Sequence, residues 1–135
     1  MDIDRNINRC NMIRDLILVG LGSGIGGMCR YLVSLMMRST SNGFPWGTFT
    51  VNVAGCLLIG LLWGLTSRFS HLSPTLSLFL MVGLCGGFTT FSTFSKEGLS
   101  LLLGHQFLLF LLYCVGSVVV GLIAVGVGYW SMKGS

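Results

Sequence analysis

Charge is scarce in this chain. Of 135 residues only 9% are Asp, Glu, Lys or Arg, whereas 53% are hydrophobic. A soluble domain carries about 25% charged residues, and a core built from so short a chain cannot hide this much apolar surface. With a mean hydropathy of +0.83, the sequence reads as a small, single-domain integral membrane protein. Other scarcities narrow its function. The two histidines, His71 and His105, fall in expected loops far apart, which argues against a zinc or catalytic centre. The five cysteines (Cys10, Cys29, Cys56, Cys85 and Cys114) are odd in number and lack CxxC spacing. Free, buried thiols are expected rather than disulfides or a metal site. No span pairs a nucleophile with a base, so an enzyme is not expected. The net charge of +4 is scattered rather than gathered into a patch, which argues against nucleic acid as a partner and for anchors flanking a lipid bilayer.

What the sequence has instead is four long apolar runs. They cover about residues 16–37, 48–66, 76–103 and 107–130, preceded by a polar tail over 1–14. Residues 15–135 then form the membrane domain. Each run reaches the roughly 20 residues needed to cross about 30 Å of hydrocarbon at 1.5 Å per residue. In lipid the backbone must satisfy itself, so the spans are helices and the fold is all-α. Four spans put both termini on one side, with Arg5, Arg9, Arg14, Arg68 and Lys133; Arg38 lies opposite, with Arg30 and Lys96 nearer the membrane. Without the tail the counts are two against three. A modest preference for one orientation and insertion in both directions stay open on charge alone. Small residues at GxxxG spacing, Gly20/Gly24 and Gly22/Gly26, point to close helix packing, as do Gly116, Gly121, Gly126 and Gly128 in the last span.

Several polar groups sit where lipid penalises them. Arg30 interrupts the first span, Asn52 lies early in the second, and Lys96 and Glu97 follow in the third. A charged side chain at a span centre costs roughly 2.5–3.5 kcal/mol on insertion scales, so such residues mark function or pairing. Arg30 either snorkels or serves a site; Asn52 either ties two helices together or offers its NH₂ to a permeant species.

The strongest signal is "CGGFTTFSTFSKEG", residues 85–98. Gly86 and Gly87 loosen the helix, while Thr89, Thr90, Ser92, Thr93 and Ser95 compete for backbone carbonyls. A mid-membrane break is tolerated only where the freed groups are buried or satisfied, and freed carbonyls suit a hard cation. Phe91 and Phe94 share a face by i, i+3 spacing, and Thr93 aligns with Glu97 at i, i+4. Aromatic ring edges are positive, so edge-on rings attract an anion without a fixed charge to trap it, while hydroxyls and an amide replace lost hydration.

"GLCGGFTTFSTFSKE" (Gly83–Glu97) resembles the third-span signature of the Fluc (CrcB-type) fluoride channels. "GGMCR", "PWGTFTVNVAGC" and "YCVGS" fall in the family's order in the other three spans. The resemblance covers all four spans and leaves out the tail. It implies an antiparallel, dual-topology homodimer in a bacterial inner membrane, with two fluoride pathways and a third helix broken near mid-membrane. It also implies a structural sodium ion held by the Gly86 and Thr89 carbonyls of both copies. Phe91 and Phe94 would face fluoride, Asn52 would donate its amide, and Ser92, Thr93 and Tyr113 would form a polar track with Glu97 toward its end. Arg30 would lie near a vestibule. One rival is a small proton-coupled drug exporter, which needs a carboxylate that the first span lacks. The other is a non-transporting membrane assembly subunit.

Overall fold

The computed structural model describes residues 2–37, 43–69 and 72–134; Arg38 and His71 lie outside the described residues. Four helical spans are long and apolar enough to cross a membrane, which makes this a multi-pass membrane protein. The first is α1 (Asp2–Met36) and the second α2 (Trp46–Arg68). The third, Pro74–Leu103, is assembled from four pieces: α3 (Pro74–Ser77), a π-helical segment (Leu78–Cys85), α4 (Gly86–Phe88) and α5 (Phe91–Leu103). The last is α6 (Phe107–Lys133).

Observed spans two to four start and stop within about three residues of the expected ones, because hydropathy and the turn residues mark the same ends. Ser73 caps α3 by accepting the Leu76 N–H at 3.1 Å, and Pro74 follows at the first helical position, where its missing N–H costs nothing. The first helix differs from expectation. It starts at Asp2, so the polar tail is a continuation of the first span rather than a separate segment. Thirty-five residues make a rod of about 50 Å, well beyond the roughly 30 Å of hydrocarbon.

Glycine seams hold the bundle together. α1 lies against the first half of the third span, where a side chain at Gly22, Gly26 or Gly87 would strike the facing backbone. α2 and α6 run parallel: Gly60 faces Val125 and Gly64 faces Tyr129, while Gly128 sits against the backbone of Leu57, Gly60 and Leu61. With lipid as apolar as leucine, such close backbone approach is what drives helices together. Gly20 and Gly24 have open space around them, so of the two GxxxG pairs only Gly22/Gly26 packs within the chain. Cys29, expected to be buried, is exposed on α1, whereas Cys85 is buried.

Candidate ion pathway at the broken third span

The third span is broken, but not at its glycines. Gly86–Phe88 remain helical, and the chain opens at Thr89 (φ −78°, ψ 158°) and Thr90 (φ −149°, ψ 119°). The physical reason lies in the hydroxyls. Thr89 donates both its N–H and its Oγ–H to the Cys85 carbonyl at 3.0 Å, ending the first half. Thr90 then starts α5 by accepting the Thr93 N–H on its own Oγ1 at 3.3 Å. The eight π-helical residues upstream already depart from the regular ladder, as such segments do at functional sites. Gly87 is needed for a different purpose, the close approach to Ser23 of α1.

Asn52 ties α2 to the break. Its Nδ2 donates to the Thr90 carbonyl at 3.1 Å, and the Thr90 N–H donates back to Oδ1 at 2.9 Å. In an unbroken helix that N–H would serve the Gly86 carbonyl; the amide takes it instead. Arg30 of α1 reaches the same region: its Nε donates to the Gly87 carbonyl at 3.3 Å. Two neighbouring helices thus each hold one side of the break. The carbonyl end of the first half and the amino end of α5 meet there, so a cation is favoured on one side and an anion on the other.

The remaining predicted residues run down α5. Phe91 is 79% exposed, and its ring lies 5.8 Å from that of Phe94, tilted by 36°. Phe94 meets Tyr113 at 5.0 Å and 45°. Thr90, Ser92 and Thr93 form a hydroxyl cluster with contacts of 3.1–3.4 Å. Beyond it Tyr113, fully buried, donates to Glu97 Oε2 at 2.7 Å. Asn52, Gly86, Thr89, Phe91 and Phe94 all line one open groove of about 400 Å³. The structure therefore brings Asn52, the break and the two rings to one surface, with Tyr113 and Glu97 behind Phe94. Gly86 itself is exposed, and a side chain there would meet nothing within 4 Å.

Two residues escaped the sequence reading. Thr48 donates to Glu97 Oε1 at 3.0 Å, so both carboxyl oxygens accept a hydroxyl. Ser117 lines the groove, and its Oγ is buried without a hydrogen-bond partner among the described residues. Each sits four residues from a residue already singled out, Thr48 before Asn52 and Ser117 after Tyr113, hence on the same helix face.

The fold and site define a class: a polytopic helical membrane protein with a hydroxyl-rich, side-chain-clamped break in one span. Residues 17–129 match the family described as "CrcB-like protein, Camphor Resistance (CrcB)". This chain belongs to that family. It is 48% identical over 119 residues to a protein of Phocaeicola vulgatus, covering 87% of this chain and 98% of that one. It is 44% identical over 117 residues to one of Flavobacterium psychrophilum, covering 86% and 94%. A protein of Nitratidesulfovibrio vulgaris is 41% identical over 117 residues, covering 86% and 94%. Each of the three is named "Fluoride-specific ion channel FluC". The name is that of a channel, not of an enzyme or a proton-coupled exporter.

Proposed function

We propose that the protein is a passive, fluoride-selective channel that lets cytoplasmic fluoride leave the cell, conducting along the face where the third span is broken. The observation that carries this reading is the Asn52–Thr90 clamp beside the Phe91 and Phe94 rings. It holds a break open without placing a fixed charge in the groove, and it leaves the second Nδ2 hydrogen of Asn52 for an anion. Fluoride is small and strongly hydrated, so passage requires close donors in place of water. Ring edges, the Ser92 and Thr93 hydroxyls and the Ser117 Oγ, which has no partner among the described residues, are such donors. Several weak sites in series allow exit as well as entry. A membrane potential, negative inside, adds roughly 2.3 kcal/mol per charge per 100 mV to the outward drive.

In this reading two copies pair antiparallel across the groove, giving two pathways. Support comes from the exposure of Phe91 and Gly86 on a single chain and from basic residues that, leaving out the tail, number two and three on the two sides. A structural sodium ion fits the break: the Gly86 carbonyl loses its helical donor, and Thr89 is extended rather than helical. Gly86 and Thr89 of each copy would supply oxygen ligands to this hard cation. The ion would tie the two copies together. Arg30, bonded at the adjacent Gly87 carbonyl, would keep that carbonyl from competing for it. Lipid tails would cover the remaining apolar surface.

Purified protein in liposomes tests the reading. A fluoride electrode should record efflux on collapse of the electrical barrier, with a chloride electrode silent under the same conditions. No fluoride efflux, or equal chloride efflux, would overturn it.

A further inference from the structure

We propose that Phe44 is a positioning residue for Tyr113: its ring closes the Tyr113–Glu97–Thr48 cluster against water and holds the phenol oxygen on Glu97. Only the flux arm of its test rests on the channel reading above.

Tyr113 is 0% exposed, and its one polar side-chain atom is bound to Glu97. Phe44 meets its ring edge to face, with centroids 5.5 Å apart and planes at 88°. Phe94 contacts the same ring from the broken span. Phe44, Tyr113, Phe94 and Phe91 thus form a continuous aromatic file from the turn before α2 to the break, with successive centroids 5.5, 5.0 and 5.8 Å apart.

The position of Phe44 is fixed by backbone, not left to side-chain freedom. Pro45 has φ −76° and ψ 69°, and the Trp46 N–H donates to the Phe44 carbonyl at 2.9 Å. These are the marks of an inverse γ-turn, with proline fixing φ. Gly43 before it takes φ 84°, open to glycine at little cost. Trp46 and Phe49 then buttress the Phe44 ring at 4.5 and 5.5 Å. A turn this constrained exceeds what joining two spans requires. Its consequence is a dry phenol. Shielded from water, the Tyr113 hydroxyl has Glu97 as its partner; with water admitted, it has competing acceptors and the ring loses its reason to stay.

Hydroxyl-radical footprinting with mass spectrometry on the full chain in nanodiscs reads this directly. Tyr113 should be protected in the wild type and modified several-fold faster in Phe44→Ala, with Phe44→Leu close to wild type. Tyr129, at the opposite end of α6, should be unchanged in all three, which also reports that the variants are folded. Equal protection of Tyr113 in Phe44→Ala and wild type would overturn the proposal; if the alanine variant does not fold, Phe44→Val takes its place in the same comparison. In liposomes, Phe44→Ala should slow fluoride efflux several-fold, yet add nothing in a Tyr113→Phe background. Independent, multiplying effects would also overturn it. Absence of efflux from the wild type sinks the channel reading instead and leaves the footprinting to decide the role of Phe44.

Discussion

Asn52 and Thr90 exchange two hydrogen bonds, side-chain amide to backbone, at 3.1 and 2.9 Å. One polar side chain thereby replaces the helical bond that the Thr90 N–H would otherwise make, and adds a second donor to the Thr90 carbonyl, which already starts α5. The break is therefore not slack in the helix. It is held by α2, and its geometry depends on an amide that both donates and accepts.

Asn52→Asp keeps the acceptor and loses the donor, while Asn52→Ala loses both. Asn52→Asp sets a carboxylate oxygen against the Thr90 carbonyl, and Asn52→Ala leaves the partly buried Thr90 N–H unmatched, at about 1–3 kcal/mol. Both variants should unfold at lower temperature in detergent and lose fluoride efflux at least tenfold. Wild-type efflux from Asn52→Ala would show that the clamp has no part in conduction.

Two glycines two residues apart on α1 should behave oppositely. Gly26 faces the Leu84 backbone, whereas Gly24 has open space. Gly26→Ala should destabilise by about 1–3 kcal/mol through overpacking. Gly24→Ala should be neutral, or stabilising by about 0.5–1 kcal/mol from reduced backbone freedom. Thermal unfolding of the two variants checks the α1 seam; equal effects would contradict it.

Ser117 separates stability from conduction. Its buried hydroxyl, without a partner among the described residues, costs the fold desolvation energy. Ser117→Ala should therefore leave thermal stability unchanged or raise it, yet slow fluoride efflux. A variant that loses stability and conducts normally would mean that the hydroxyl belongs to the packing.

Sodium should matter to assembly. Purification with N-methylglucamine in place of sodium should weaken the dimer, read by size-exclusion with light scattering, and lower efflux from the resulting liposomes. Readdition of sodium should restore both. Indifference of assembly and flux alike would remove the cation from the account.

Much of this was legible in the sequence, for identifiable reasons. Apolar run length sets the spans, and the Gly83–Glu97 motif marks where the third one departs from a regular helix. The exact opening was not legible. Two adjacent glycines look like the weak point, but glycine only permits a break, whereas the threonine hydroxyls that take the Cys85 carbonyl and cap α5 make one. Thr48 stayed hidden among other second-span threonines, because only tertiary packing brings it to Glu97. The role of Phe44 depends on a turn whose dihedrals no composition rule supplies.

The most direct test of the central claim compares wild type with Phe94→Ile in the same liposomes, with dimer content verified for both. Phe94 joins the break to Tyr113 and packs against both Phe91 and the tyrosine ring. Isoleucine fills similar space without a ring edge. The account predicts that fluoride efflux disappears while the variant stays assembled. Undiminished efflux through an intact Phe94→Ile dimer would contradict it.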